Sequence, residues 1–177
     1  MAFNKNSSKR LCFIAGIQRE SSDIIEEINN IAESYIKNII KKTQYICFLS
    51  NKKTILISDI CFLSQIDDTI PKIIYSDKLG SFIKTRMKKN DIIDVIEGNK
   101  GYNVFTVKNS FNIIVKKILD ENNSSIKLGK NVLILIQNLT EQYIIKLLNI
   151  SFNIMKRNNR HTVLLKDIEL ANLILNI

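Results

Sequence analysis

A long apolar pattern near the C-terminus most strongly constrains how this chain can fold. Between Val132 and Met155, apolar residues recur three or four positions apart, which is the spacing of one face of an α-helix. Further apolar residues widen this face, so we expect the helix to be buried on more than one side. A polar, basic loop follows, and then a shorter helical pattern from Leu165 to Ile174. The stretch predicts a long helix, a loop and a short helix.

The same pattern occurs a second time, 108 positions earlier in the chain. Without any gap, Tyr143 corresponds to Tyr35, Thr162 to Thr54, and the pair Asp167-Ile168 to Asp59-Ile60. An internal repeat indicates that the chain is built from repeated structural units. Because there are only two copies, the repeat predicts a pseudo-symmetric pair of units rather than a solenoid.

The composition favours helices joined by few, short loops. The chain has 177 residues, of which 45% are hydrophobic, but it contains only one proline and five glycines. Strand-rich folds need more turn residues than this. We therefore predict an all-α chain that forms one compact domain or two small intertwined ones.

The charge of the chain points to a polyanionic partner. The formal net charge is +9 at pH 7, and such a surplus is typical of nucleic-acid-binding proteins. A basic soluble protein without such a partner is the alternative. No uncharged apolar run reaches about 18 residues, so no membrane contact is predicted. The three cysteines form no Cys-x-x-Cys pair and indicate a reducing, intracellular setting.

The sequence offers no pattern for catalysis or for a cofactor. His161 is the only histidine, and no neighbouring residue gives it the pattern of a nucleophile partner or of a metal ligand. We therefore expect no enzyme activity, no metal and no cofactor.

The chain divides into four parts by pattern. Residues 1–6 form a short polar tail, 7–66 the first helical unit, 67–108 a linker and 109–177 the second helical unit. Within the linker, the segment 91–97 is compatible with one additional short helix.

Both units carry residues that resemble core histones. The first is similar to the type-four core histone through Gly16-Ile17-Gln18-Arg19-Glu20-Ser21, Glu26-Glu27, Lys52-Lys53-Thr54 and Asp59. The second is similar to the type-three core histone through Phe111, Gln137, Glu141-x-Tyr143, Thr162 and Lys166-Asp167-Ile168-Glu169-Leu170-Ala171. This order resembles the histone doublets of giant DNA viruses. The resemblance implies two histone folds, each of short, long and short helices, paired head to tail within one chain.

The resemblance also implies where double-stranded DNA would bind. Head-to-tail pairing would place Arg19 beside Thr162, and Lys127 beside Thr54. In the family, an arginine at the Arg19 position enters the minor groove. Lys127 stands where the family has arginine, and lysine lacks the planar fork of that side chain, so we expect a weaker anchor. The implied DNA-binding residues are Lys9, Arg10, Arg19, Lys52, Lys53, Thr54, Arg86, Lys108, Lys116, Lys127, Arg160 and Thr162.

Two alternatives to these DNA contacts remain open. Arg19 and Lys127 could be ordinary solvated loop charges. The basic run 84–89, which includes Arg86, could be a solvated linker.

Two protein-binding surfaces are implied as well. A second copy would bind through Ile154, Arg157, Asp167, Leu170 and Ile174, with Arg157 of one copy pairing with Asp167 of the other. A second histone doublet, of the type-two kinds, would dock on Ile46, Leu49, Phe62 and Gln65. The implied function is nucleosome-like wrapping of viral DNA, located in the virion and in the host nucleus or viral factory. The alternative is a histone-fold subunit of a transcription complex that acts as a protein scaffold.

Overall fold

The computed structural model describes residues 3–71, 73, 108–121, 126–129 and 131–176. These residues are mostly helical. Their elements, in chain order, are α1 (Lys5–Ile14), α2 (Ile24–Leu49), β1 (Thr54–Ile55), α3 (Ile57–Ile66), α4 (Lys108–Glu121), β2 (Lys127–Leu128), α5 (Val132–Arg157) and α6 (Leu165–Leu175). The region 91–97, where one more helix was considered, lies outside the described residues.

The two long helices correspond to each other residue by residue. Both α2 and α5 contain 26 residues, and their first residues are 108 positions apart. Each ends shortly before an asparagine with a left-handed backbone, Asn51 and Asn159, both at φ 51°. Asparagine tolerates this conformation better than most residues because its short side chain can bond locally. The repeat in the sequence is thus a repeat in the structure.

The two long helices meet at equivalent tyrosines. The rings of Tyr35 and Tyr143 stack with their centroids 4.1 Å apart and their planes 8° from parallel. Both side chains are buried, and offset stacking of aromatic rings adds to the free energy gained by burying them. Because the two residues are equivalent in the sequence repeat, the long helices contact each other at the same position of each.

One hydrophobic core joins both halves of the chain. Ile28, Ile36 and Ile39 on α2 are fully buried, as are Leu139 and Ile144 on α5. The short helices lie across the boundary, because α1 contacts α5 as well as α2, and α6 contacts α2 as well as α5. Helix α4 also contacts both long helices. Neither long helix is therefore covered by its own half alone.

The first helix begins earlier than its sequence pattern indicated. Residues 3–6, which the pattern assigned to a polar tail, belong to the packed fold. Phe3 is 1% exposed, and its backbone N–H donates to Asn29 Oδ1 at 2.7 Å. Asn4 caps α1 by accepting from the Ser7 N–H at 2.7 Å, which satisfies an otherwise free donor at the helix start. Phe3 and the equally buried Phe111 are 108 positions apart, so the repeat extends to these residues.

Candidate nucleic-acid interface

At one end of the molecule, a short parallel ladder joins β1 to β2. Thr54 lies opposite Lys127, and Ile55 lies opposite Leu128. The Lys127 N–H donates to Lys53 O at 3.0 Å, and the Gly129 N–H donates to Ile55 O at 2.8 Å. Three of the predicted DNA-binding residues, Lys53, Thr54 and Lys127, are therefore brought together from opposite halves of the chain. We call this group the 53/127 cluster.

A second parallel pairing of two loops occurs beside Arg19. Glu20 forms a parallel bridge with Val163, and the Val163 N–H donates to Arg19 O at 3.1 Å. The backbone of Arg19 thus lies next to the loop of His161 and Thr162, and Arg19 and His161 line the same cleft. We call this group the 19/161 cluster. The bridge between Glu20 and Val163 is the pseudo-symmetric counterpart of the pairing between Leu128 and Ile55.

A concave surface lies beside Arg19. A cleft of about 650 Å³ is lined by four basic side chains, which are Arg19, Lys156, Arg160 and His161. Its remaining lining is apolar, amide or glycine, from Gly16, Gln18, Phe152, Met155 and Asn159. Lys156 lies over the Phe152 ring, 5.6 Å from the centroid, in a cation–π contact. Such a concentration of positive charge attracts anionic ligands.

An ion pair fixes the loop that follows each long helix. Arg160 donates to both oxygens of Asp167, at 2.9 and 2.6 Å. At the equivalent place in the first half, Lys52 Nζ donates to Asp59 Oδ1 at 2.8 Å. Both carboxylates also accept the backbone N–H three residues earlier, which caps α6 and α3. The acidic side chains are 2% and 4% exposed respectively.

These ion pairs were not predicted from the sequence. Burial favours a higher pKa for Asp167, but hydrogen bonds from Arg160 and from the Leu164 N–H outweigh it, so the pKa is lowered. The hydrogen bond to Asp59 is the main cause that raises the pKa of Lys52. Lys52 and Arg160 therefore hold the loops as well as adding positive charge. A basic residue seven positions before an aspartate, in both repeats, was the signal that could have revealed this.

Of the remaining predicted DNA-binding residues, some are exposed on helices and others lie outside the described part of the chain. Lys9 and Arg10 on α1 are exposed, and so is Lys116 on α4. Both helices contact α5, and both contact α2, so these residues lie on helices that pack against both long helices. Arg86 is outside the described residues, as is the side chain of Lys108.

The predicted docking surface for a second doublet is largely exposed. Leu49 and Phe62 are 65% and 50% exposed, Gln65 is exposed, and Ile46 is half-buried. Three further exposed apolar residues, which were not among the predicted docking residues, lie on the same two helices: Tyr45, Phe48 and Ile66. Isolated exposed apolar residues are common, but a group of this size is typical of a binding surface.

The predicted self-association surface is exposed at three of its five positions. Arg157, Leu170 and Ile174 are exposed, and Ile154 is half-buried. Leu173, which was not among the predicted residues of this surface, is 65% exposed. Asp167 differs because its side chain is buried and paired with Arg160 of its own chain. Its role as a partner for Arg157 of a second copy stays a prediction, and substituting it would disturb the loop of its own subunit.

The described residues contain no group of three or more histidine, cysteine or acidic side chains arranged to hold a metal ion. All three cysteines are free and buried, and burial raises the pKa of Cys61 to about 11. Among the helices described, none combines the length and the apolarity needed to cross a membrane.

Comparison with known proteins identifies the fold. Residues 105–174 match the family model of the core histone H2A/H2B/H3/H4 domain. The structure is similar to that of the histone from Methanopyrus kandleri, with a TM-score of 0.61 and 16% sequence identity over 96% of this chain and 92% of that chain. No curated protein matches the chain. The described part of the chain is thus mostly helical and has a histone fold.

Proposed function

We propose that this chain is an architectural DNA-binding protein in which two histone folds are paired head to tail. It would wrap and compact DNA without reading its sequence, as a histone doublet of the giant-virus kind. The observation that carries this proposal is the matched assembly of the two basic clusters. In each one, a loop that precedes a long helix contributes a basic residue, and a loop that follows the other long helix contributes a threonine and further basic residues.

The chemistry of the clusters suits the DNA backbone. Arg19 and Lys127 would each approach the minor groove at one end of the molecule, with Thr162 and Thr54 beside them. The exposed Lys9, Arg10 and Lys116 would contact phosphates between these ends. Binding that relies on phosphate contacts and on the bendability of DNA is independent of sequence and sensitive to salt.

Fusion of the two halves in one chain supports the same function. Because α1 and α6 each pack across the boundary between the halves, the two folds complete each other. A covalent link makes their pairing intramolecular, with an effective concentration on the order of millimolar for a suitable linker. It also fixes the ratio of the two folds at one to one.

Larger particles would form through the two apolar surfaces. A second copy would bind to the surface of Ile154, Arg157, Leu170 and Ile174, and a second doublet of the type-two kinds would bind to that of Ile46, Leu49, Phe62 and Gln65. The exposure of most of these residues supports both contacts. Such particles would occur in the virion and in the host nucleus or viral factory.

The clusters can be tested by the salt dependence of DNA binding. Affinity for a fluorescently labelled duplex of random sequence is measured across a range of salt concentrations. Replacing Arg19 and Lys127 together by alanine should make the slope of log K against log salt shallower by about 1.8, because each phosphate contact contributes about 0.9. The matched control removes two exposed lysines on the long helices, Lys37 and Lys146, and should change the slope much less. Equal effects of the two double variants would contradict the proposed clusters.

Wrapping is tested separately by nuclease digestion. DNA reconstituted with this chain and a partner doublet should give a ladder of protected fragments. Tight assembly with proteins but no protection beyond that of free DNA would favour the alternative, a scaffold subunit of a transcription complex.

A further inference from the structure

We propose that the cleft beside Arg19 is a phosphate site, in which Lys156 and Arg19 together hold one phosphate of the DNA backbone. Lys156 is not among the residues that the resemblance to histones assigned to DNA. The inference rests on the proposed DNA-binding function, and it adds a contact that the 53/127 cluster lacks.

The lining of the cleft suits a phosphate group. Besides its basic side chains, it contains the amides of Gln18 and Asn159, which can donate hydrogen bonds to phosphate oxygens. None of the described residues that line it is acidic. The volume of about 650 Å³ leaves room for the group. A backbone phosphate that enters the cleft therefore meets donors and positive charge, and no carboxylate of the lining repels it.

Lys156 is positioned for this contact by the aromatic ring beside it. It lies in the last turn of α5, and its ammonium group is 5.6 Å from the centroid of the Phe152 ring, one turn earlier. Lys156 is exposed, whereas Phe152 is half-buried and packed against the core. The cation–π contact thus holds the ammonium group at the cleft. Within the described part of the chain Lys156 forms no ion pair, so its charge is available to a ligand.

The charge of the cleft comes mainly from Lys156 and Arg19. Arg160 also lines the cleft, but it donates to both oxygens of Asp167, and this carboxylate balances its charge. The guanidinium has five N–H donors, so Arg160 can still donate a hydrogen bond to a phosphate without leaving Asp167. Attraction of the phosphate into the cleft therefore depends most on the two side chains that no carboxylate neutralises.

The repeat shows that this pair of side chains has no counterpart at the 53/127 cluster. The residue 108 positions before Lys156 is Phe48, and the one 108 positions before Phe152 is Gln44. Phe48 is 73% exposed, and its apolar side chain offers nothing to a phosphate. We therefore expect the 19/161 cluster to make a phosphate contact that the 53/127 cluster does not make.

Acetylation of lysine side chains, read by mass spectrometry, tests the contact directly in the unmodified chain. The protein reacts with the reagent alone and in complex with a duplex of random sequence. Lys156 and Lys127 should react several times more slowly in the complex. Lys146 is the matched control, because it is exposed on the same helix as Lys156 but does not line the cleft, and its rate should not change. Equal reactivity of Lys156 with and without DNA, while Lys127 is protected, would overturn the inference and leave the proposed function standing.

The salt dependence of duplex binding measures the same contact in variants. Lys156→Ala should make the slope of log K against log salt shallower by about 0.9, which corresponds to roughly eightfold weaker binding at about 0.1 M salt. Lys156→Arg should keep the slope, and Lys146→Ala should change it much less. Phe48→Lys introduces a lysine at the equivalent position of the first half and should make the slope steeper by a similar amount.

Each outcome bears on a separate statement. An unchanged slope in Lys156→Ala, or an equal loss in Lys146→Ala, would overturn the phosphate site. An unchanged slope in Phe48→Lys would overturn the claim that the two clusters differ through these equivalent positions. If the unmodified chain does not bind the duplex even at low salt, the proposed function falls and the inference falls with it. Circular dichroism checks that the variants are folded.

Discussion

Replacing Asp167 by asparagine should destabilise the fold at the loop that carries Arg160 and His161. The Asp167 carboxylate is 2% exposed and accepts three hydrogen bonds, two from Arg160 and one from the Leu164 N–H. Asparagine has nearly the same shape but no charge, and it has one acceptor oxygen instead of two. It can keep one or two of these bonds, and it directs an amide N–H group towards the guanidinium.

The expected loss in the free energy of unfolding is about 2 kcal/mol. A hydrogen bond between charged groups contributes roughly 1.5–3 kcal/mol, and breaking a fully buried ion pair costs roughly 3–5 kcal/mol. The Arg160 side chain is 24% exposed, so water can partly solvate the guanidinium once its partner is neutral. The value therefore lies near the lower end of these ranges.

Urea unfolding at neutral pH, followed by circular dichroism, measures this loss. The equivalent variant Asp59→Asn is the matched control, because Asp59 pairs with Lys52, which is 41% exposed and makes one hydrogen bond to it. We expect its loss to be smaller, about 1 kcal/mol. This account of the two ion pairs would be refuted if Asp167→Asn lost less than about 0.5 kcal/mol of unfolding free energy. It would also be refuted if Asp59→Asn lost more than Asp167→Asn.

The same variant should also change the pH dependence of stability. Since the pKa of Asp167 is lowered in the folded protein, the ionised carboxylate stabilises the fold above the ordinary unfolded-state pKa of about 3.9. This contribution is lost as the pH falls through the lowered folded-state pKa. The difference in stability between the unmodified chain and Asp167→Asn should therefore shrink below about pH 4. A difference that stays constant with pH would contradict the assignment.

Three further predictions concern the junction of the halves and their outer surface. Gly129→Ala should lower the free energy of unfolding by about 1–3 kcal/mol, measured by urea denaturation, because the new Cβ would lie 2.8 Å from the carbonyl oxygen of Ile55; unchanged stability would contradict the close approach of the two strands. Tyr35→Phe should leave the stability of the fold unchanged or raise it, since the buried Tyr35 hydroxyl has no partner among the described residues. Tyr143→Phe should lower the free energy of unfolding by about 1 kcal/mol, because it loses a 3.2 Å hydrogen bond to an asparagine of α6. Thermal unfolding compares the two variants, and a larger loss for Tyr35→Phe would contradict the prediction. Leu170→Asp, at an exposed site, should reduce the mass measured by light scattering to that of one chain. The melting temperature should stay within a few degrees of that of the unmodified chain. An unchanged mass would exclude that surface as the self-association site.

The helices were predictable because their apolar periodicity is strong and occurs twice. The pattern that indicated a long helix from Val132 to Met155 corresponds to α5, Val132–Arg157, and the 108-residue offset located its counterpart α2. The neighbourhood of Arg19 and Thr162 followed from the resemblance to histones. Local patterns alone contain no information about which loops meet, because that depends on how the two units pack.

The parts that the sequence did not reveal depend on tertiary contacts. Phe3 looked like part of a polar tail because the short start Met1-Ala2-Phe3, followed by Asn, Lys and Ser, has no helical periodicity. The ion pair of Arg160 with Asp167 joins a loop to a helix cap, and an aspartate at a helix start is equally consistent with exposure. The burial of this aspartate becomes evident only when the last helix is packed against the core.

The interleaving of the halves also bears on how the protein is synthesised. Each basic cluster joins residues that are far apart in the chain, as the pairs Lys53 with Lys127 and Arg19 with Val163 illustrate. While the ribosome is still making the second half, α2 has no α5 to cover its apolar face, and neither cluster is complete. The nascent chain consequently leaves an apolar helix uncovered until translation ends, which makes it a substrate for chaperones.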